Sequence, residues 1–213
     1  MAGRRLTIEV GFDLVCPWCL IGKRQLEKAM QLLAQQRPDV EVVLHWRSVQ
    51  LLPQIVSPGV PFKPFYIHRL GSAEAVGMRQ AQVRLAGAAE GLNFDFERIE
   101  VMPNTLAAHR WIAYTAQHAD LATVERLIER LFKAHFLKGE NIGDAAVLDR
   151  IGVEQQMARG EAELAPFAAM QGVPSFNFNG RIHLSGAQGV HRLLAAMTAC
   201  LAETEALAAE FPA

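Results

Sequence analysis

The sequence predicts a mixed α/β protein in which both ends of the chain build one small sheet domain and the middle is helical. Residues 6–12 alternate as a β-strand does, residues 17–36 repeat as a helix does, and residues 40–46 form a second apolar strand. A strand, a crossover helix and a further strand form a right-handed unit with parallel strands. We therefore expect the first strand to lie inside the sheet.

The C-terminal end predicts the rest of this sheet. Asn179-Gly180 is a favoured two-residue turn, and it joins short strands at residues 176–178 and 181–184. Residues 172–175 form a tight connection before the hairpin, and a last helix covers residues 189–208. The simplest architecture is one α/β domain with a helical insertion.

The middle of the chain begins with a proline-punctuated loop and continues with helical patterns. The predicted elements are a loop at 50–65, a helix at 75–90 between Ser72 and Gly91, an extended link at 93–96, a helix from Asn104 or Thr105 to residue 118, a helix capped by Thr123 with apolar residues at 124–132, a helix at 145–151 capped by Asp144, and a helix at 161–170.

Composition narrows the function classes. About half of the 213 residues are hydrophobic (51%), as in globular proteins, and the formal net charge of −1 gives no basic excess for nucleic acid or anionic lipid. No uncharged apolar run reaches the length of a membrane span. Glu9 and Asp13 interrupt any apolar core of an export signal after Arg4-Arg5. We therefore expect a cytoplasmic protein without a membrane or nucleic-acid partner.

Two cysteines lie where the first strand gives way to the first helix, in the order Cys16-Pro17-Trp18-Cys19. A helix N-terminus has unpaired backbone N–H groups and a partial positive charge, and both stabilise a thiolate. Pro17 suits the first helical position because its missing N–H is not needed there. Cys19 lies three residues further along the same helix face. We expect Cys16 to be the exposed attacking thiol and Cys19 to resolve the mixed disulfide.

Other uses of the pair fit less well. A structural zinc site needs four ligands, and Cys200 has no second Cys-X-X-Cys or close histidine pair beside it, so no metal site is predicted. A permanent disulfide is unusual in a cytosolic chain. Cys200 falls in the apolar face of the last helix and reads as a buried, inert thiol. A Cys-X-X-Cys motif beside a strand and helix is instead typical of thioredoxin-like redox proteins.

Five stretches in order resemble the DsbA-like branch of the thioredoxin fold, and more closely the FrnE-like group of dithiol–disulfide oxidoreductases and isomerases. They are DLVCPWCLIGKR at 13–24, Trp46-Arg47, Asn104-Thr105 with Ala108-His109-Arg110, FLKGENIGD at 136–144, and GVPSFNFNGRIHLSGAQ at 172–188. One departure is Leu52-Pro53, where the family usually has asparagine before the proline, so a polar contact near the substrate is missing.

The resemblance implies a thioredoxin-like fold, DsbA-like, with a helical domain inserted between strand 2 and the cis-proline strand. Residues 1–60 and 171–213 would form the discontinuous thioredoxin-like domain, and residues 61–170 the insertion. It also implies a cis Val173–Pro174 bond that faces the cysteines, with the Val173 backbone offered to a substrate strand.

The resemblance also bears on redox tuning by Pro17 and Trp18. The most oxidising members carry histidine directly before the second cysteine, where this chain has Trp18. We therefore expect a couple suited to reduction or isomerisation.

His109 and Asn104 are the further candidates. The resemblance places both on an insertion helix above the active site, where they would contact substrate or glutathione or relay a proton. The alternatives are a helix-packing histidine and a capping asparagine, and the second is favoured for Asn104. The other histidines show no ligand spacing and are expected at the surface or in packing; they are His45, His68, His118, His135, His183 and His191.

The expected function is that of a thiol–disulfide oxidoreductase or isomerase acting on a disulfide- or thiol-bearing protein or small molecule. No bound cofactor is expected, and glutathione or another thiol donor would supply electrons. Two alternatives stay open: a glutathione-dependent isomerase or transferase of small aromatic molecules, whose relatives usually carry serine in place of the cysteine pair, and a non-catalytic, chaperone-like peptide-binding module. The oligomeric state is left open between a monomer and a homodimer.

Overall fold

The computed structural model describes residues 4–166 and 172–210, with side chains described as far as residue 204. Its elements in chain order are β1 (Arg4–Phe12), α1 (Pro17–Gln36), β2 (Val40–Ser48), β3 (Gly59–Pro61), α2 (Phe62–Leu70), α3 (Ala73–Ala88), a 3-10 helix (Phe96–Arg98), β4 (Val101–Pro103), α4 (Leu106–His118), α5 (Leu121–Lys138), α6 (Ala145–Gln155), β5 (Ser175–Phe178), β6 (Ile182–Ser185) and α7 (Val190–Glu210). The described chain divides into two compact units: a sheet unit within 1–12, 18–49 and 167–213, and a helical unit of 13–17 and 50–166.

The sheet unit contains a sheet whose described strands run in the order β2-β1-β5-β6. β1 pairs in parallel with β2 and antiparallel with β5, and β5 and β6 form an antiparallel hairpin. The central place of β1, the parallel pair and the hairpin were all predicted. Asn179 and Gly180 form the turn with φ of 49° and 70°, a left-handed conformation that asparagine and glycine tolerate best.

The core of the sheet unit comes from one face of the sheet and from α1 and α7. β1 supplies three fully covered side chains because alternate residues of a strand share a face. The buried members are Leu6, Ile8, Val10, Leu26, Ala29, Leu33, Leu44, Phe176, Phe178, Leu193, Ala196, Met197, Cys200 and Leu201. Cys200 is buried as predicted, and its Sγ donates to the Phe178 carbonyl oxygen at 3.4 Å.

The helical unit has an aromatic core. The rings of Phe94, Phe96 and Phe132 lie with centroids 5.3–6.3 Å from that of Phe136, in edge-on and stacked arrangements. Trp111 in α4 is fully buried and donates its indole N–H to the Ala158 carbonyl oxygen at 3.1 Å. In the described parts of the chain, no helix combines the length and the apolar character that a membrane crossing requires.

Two predicted segments in this unit are wrong. The loop expected at 50–65 already contains β3 and the start of α2. α2 tolerates Pro64 because this residue falls in the first helical turn, where no backbone N–H is needed. The helix expected at 161–170 is absent over 161–166, while 167–170 lie outside the described residues. The Ala162 N–H instead donates to the carbonyl oxygen of Arg110 in α4 at 3.2 Å, which ties this irregular segment to α4.

The helix caps were predicted in part. Ser72 accepts from the Ala75 N–H at 3.1 Å and Asp144 from the Ala146 N–H at 2.8 Å, as expected. Thr123 is not a cap, because Asp120 accepts the Thr123 N–H at 2.8 Å and α5 begins two residues earlier. The link expected as extended at 93–96 runs into the 3-10 helix.

Candidate active site

The two cysteines lie at the start of α1. Cys16 directly precedes the helix and donates its backbone N–H to the Asp13 carbonyl oxygen at 3.1 Å, while Cys19 is the third helical residue. Both cysteines are reduced and both are buried, with exposed fractions of 7% and 3%. The expectation of an exposed Cys16 is therefore wrong. Residues 13–17, which include this cysteine, belong to the helical unit.

Tyr66 of α2 is the neighbour of Cys16 that the sequence analysis missed. Burial, and secondly the negative charge of the Cys16 thiolate, raise the pKa of Tyr66 to about 12. The phenol keeps its proton at neutral pH and lies close enough to Cys16 for a thiolate charge to act on it. A single tyrosine in a proline-rich segment has no motif that would have revealed this place.

Asp13 is a second residue that the sequence analysis passed over. Its carboxylate is fully buried and accepts the Leu51 N–H at Oδ2, 2.7 Å away, while His109 Nε2 lies 3.1 Å from Oδ1. The distance is that of a hydrogen bond between the ring nitrogen of His109 and the carboxyl oxygen of Asp13. Asp13 thus joins the turn that carries Cys16 to α4, and His109 acts on that turn through Asp13.

His135 of α5 lies in the same buried region. Neither of its ring nitrogens has a hydrogen-bond partner among the described residues, and the ring is fully buried. Burial lowers the pKa of His135 to about 4, and the nearby Asp13 carboxylate opposes this shift. The imidazole is therefore neutral at physiological pH. The sequence predicted a surface or packing residue, and the structure places it in packing.

Asn104 is held entirely by structural contacts. Its Oδ1 accepts from the Leu106 N–H at 2.9 Å and from Gln50 Nε2 at 3.1 Å, and its Nδ2 donates to the Ile55 carbonyl oxygen. These are the contacts of a helix cap that also anchors the loop after β2. Gln50 and Leu51 are adjacent in that loop, so the loop ties Asn104 and Asp13 into one framework.

In the sheet unit, the cis-proline loop lies against α1. The Val173–Pro174 bond is cis, as the resemblance implied. A Cβ atom built on Gly22 would lie 3.1 Å from the Pro174 ring and 3.1 Å from the Phe176 ring. Gly22 follows Cys19 by three residues, so the proline contacts the helix face that carries Cys19. The absence of a side chain at residue 22 permits this close approach.

Trp18 and Lys23 complete the first two turns of α1. Trp18 is half-buried and Lys23 is 3% exposed, and the Lys23 ammonium pairs with the carboxylate of Glu27. Lys23 lies four residues after Cys19, on the same helix face. A cation therefore follows the second cysteine by one turn, which the sequence analysis did not single out. The described residues contain no group of three or more histidine, cysteine or acidic side chains that could hold a metal ion.

Comparisons with known proteins agree on the fold. A probable DsbA oxidoreductase from Streptomyces coelicolor superposes with a TM-score of 0.78 at 24% identity, over 93% of this chain and 91% of that one. A 2-hydroxychromene-2-carboxylate isomerase gives 0.63 at 14% identity over 94% and 98%. The cytosolic disulfide reductase DsbM from Pseudomonas aeruginosa gives 0.55 at 17% identity over 96% and 100%, and a structure of DsbM with GSH is also similar.

Sequence comparison extends over most of the chain. The uncharacterized protein YwbO from Bacillus subtilis is 26% identical over 147 residues, which are 69% of this chain and 64% of that relative's length. The family model described as the DSBA-like thioredoxin domain matches residues 7–198, from β1 into α7. The chain therefore belongs to the DSBA-like thioredoxin domain family.

Proposed function

We propose that the chain is a thiol–disulfide oxidoreductase or isomerase of the FrnE-like kind, with Cys16 as nucleophile and Cys19 as resolving thiol. The observation that carries this proposal is the place of the pair: Cys16 directly precedes α1 and Cys19 lies in its first turn. Backbone N–H groups and the helix dipole favour a thiolate at this position. The second thiol, one turn away, can complete the exchange.

The reaction proceeds by two thiol–disulfide exchanges. The Cys16 thiolate attacks one sulfur of the substrate disulfide, forms a mixed disulfide and expels the other sulfur as a thiolate. The Cys19 thiolate then attacks the Cys16 sulfur, releases the second substrate thiolate and leaves a Cys16–Cys19 disulfide. Two electrons pass to the substrate, and each released thiolate takes up a proton. A thiol donor such as glutathione reduces the pair again.

The neighbours of the thiols have supporting roles in this proposal. The protonated Tyr66 phenol lies near Cys16, while Asp13 and His109 position the turn that carries this cysteine. Val173 and Pro174 hold the substrate backbone beside the helix face of Cys19, since the proline ring lies against Gly22. Asn104 acts as a positioning residue of the framework.

The direction of electron flow follows from Trp18. Indole has no positive charge to stabilise the neighbouring thiolate, so the reduced pair is less favoured than with histidine at this place. We propose a couple that reduces or isomerises disulfides in the cytoplasm, with glutathione as the electron donor. DsbM, a cytosolic disulfide reductase, has a similar fold, and this similarity is in line with a reductive direction.

The test is whether turnover needs both thiols. We expect the wild-type chain and Cys200→Ser, which removes a buried thiol of α7, to reduce a glutathione mixed disulfide in the presence of glutathione. Cys16→Ser and Cys19→Ser together should abolish this reduction. Activity that survives the double change would contradict the proposal and favour a peptide-binding module or an isomerase that does not use the pair.

A further inference from the structure

An apolar pocket with about 30 Å³ of accessible space lies in the helical unit beside the cysteine turn. Its walls come from α2, α3, the 3-10 helix and the first residue of α1. The apolar lining residues are Pro17, Phe62, Tyr66, Leu70, Val76, Val83 and Phe96. Phe62, Val83 and Phe96 are almost fully covered, so the floor of the pocket is fixed by the core of the unit.

Two lining residues connect this pocket to the nucleophile. Pro17 is bonded directly to Cys16, and Tyr66 is close enough to Cys16 for the thiolate charge to act on the phenol. A residue of extended chain spans about 3.3–3.6 Å. A side chain within one or two residues of a sulfur bound to Cys16 can therefore enter the pocket.

Arg79 and Gln80 are the other lining residues, and Arg79 carries a positive charge. Arg79 lines the pocket from α3, is exposed and has no ion-pair partner in the part of the chain that the structure describes. Arg69 of α2 is exposed as well, and its charge acts on Tyr66. An apolar cavity with an unpaired guanidinium at its edge suits an apolar group that has a carboxylate nearby.

We propose that this pocket is a specificity site for peptide substrates that carry a large apolar residue and an acidic residue beside the reacting cysteine. The proposal rests on the proposed function and names its substrate class. The pocket's accessible space of about 30 Å³ is far smaller than the roughly 300–1,000 Å³ typical of sites for whole small molecules, so a single side chain is the better occupant. Arg79 then pairs with the acidic residue of the peptide.

The reaction to measure is formation of the mixed disulfide. Peptides whose cysteine is joined to methanethiol are mixed with the Cys19→Ser protein, which cannot resolve the adduct. The Cys16 thiolate attacks the cysteine sulfur of the peptide, a Cys16–peptide disulfide forms, and methanethiolate leaves and takes up a proton. Methanethiol is too small to fill the pocket, and mass spectrometry gives the identity and rate of the adduct.

Four peptides separate the contribution of the apolar side chain from that of the acidic residue. They contain Cys-Phe-Glu, Cys-Ala-Glu, Cys-Phe-Lys and Cys-Ala-Lys. We expect phenylalanine to raise the rate at least tenfold over alanine, in line with burial of a large apolar side chain. Glutamate should raise the rate of adduct formation about two- to fivefold over lysine, because an exposed ion pair contributes this much. Added salt should reduce this difference in rate.

Variants of the lining locate the effect. Val76→Trp should remove the advantage of phenylalanine, and Gln80→Trp gives a second way to fill the pocket if the first variant does not fold. Arg79→Glu should reverse the preference for glutamate. Arg126→Glu, which changes an exposed arginine of α5 outside the lining, is the matched control and should keep both preferences.

The outcomes separate this proposal from the proposed function. Equal rates for all four peptides, with adducts on Cys16, would overturn the specificity site and leave the nucleophile in place. A phenylalanine advantage that persists in both filled variants would also overturn it. Equal rates for the Cys-Phe-Glu peptide and for benzyl methyl disulfide would refute a peptide as occupant. No adduct on Cys16 with any peptide would contradict the proposed function itself.

Discussion

Acid should destabilise this protein through His135, a buried imidazole of α5. Burial lowers the pKa of His135 to about 4 from an ordinary value of 6.5. The native state therefore keeps the ring neutral between these two values, whereas the unfolded chain protonates it. At 1.36 kcal/mol for each pKa unit, the difference amounts to about 3 kcal/mol of unfolding free energy.

The sign follows from proton counts. Between pH 6.5 and pH 4 the unfolded state binds one proton more than the native state, so stability falls as the pH falls through this window. At pH 7 the contribution is fully retained. The assay is urea unfolding, followed by far-UV circular dichroism, at pH values from 7 to 4.

His135→Leu isolates this contribution, because leucine fills the site without a titrating group. The variant should lose about 3 kcal/mol less than the wild type between pH 7 and pH 4. His191→Leu, at an exposed position of α7, makes the same chemical change and should retain the full loss. Parallel pH profiles for the wild type and His135→Leu would refute the burial of a neutral imidazole.

Three further predictions concern the framework and the redox poise. Gly22→Ala should destabilise the chain by about 1 kcal/mol because its Cβ meets the cis-proline loop, whereas Gly77→Ala, with open space around it, should stabilise it by about 0.5–1 kcal/mol in the same urea assay. Asp13→Ala should cost about 3–5 kcal/mol of unfolding free energy, since it removes a fully buried carboxylate that accepts the Leu51 N–H and pairs with the buried His109 ring, and Asp13→Asn should cost less. Trp18→His should raise the reduction potential by at least about 30 mV, or about 1.4 kcal/mol, in a glutathione redox buffer.

Each of these has an outcome that would contradict it. If Gly22→Ala stabilised the chain as Gly77→Ala does, the cis-proline loop would accommodate the added Cβ without loss of unfolding free energy. An Asp13→Ala protein as stable as the wild type would remove the buried pair from the framework. An unchanged potential in Trp18→His would place the control of redox poise outside the residue between the cysteines.

The elements of the sheet domain could be predicted because each is encoded by a short stretch of adjacent residues. The alternation of β1, the periodicity of α1 and the Asn179-Gly180 turn each report on a few adjacent residues. α2 was missed because prolines mark both loops and first helical turns, and Pro64 occupies such a turn. The segment at 161–166 carries a helical pattern, but it is irregular and its Ala162 N–H donates to Arg110 of α4 instead.

The site was predictable only where a motif exists. Cys16 and Cys19 form a recognisable spacing, and the family resemblance implied the cis bond before Pro174. The Asp13–His109 pair spans 96 residues of sequence, and Tyr66 reaches Cys16 only through the placement of α2. The burial of Cys16 likewise depends on tertiary packing, which its position before the first helical turn does not reveal.

The most direct test of the account is to trap the mixed disulfide. The account predicts that Cys19→Ser, incubated with glutathione disulfide, accumulates a glutathione adduct on Cys16 by mass spectrometry, and that Cys16→Ser accumulates none on Cys19. An adduct on Cys19 in the Cys16→Ser protein, with none on Cys16 in the reverse case, would contradict the assignment of the nucleophile.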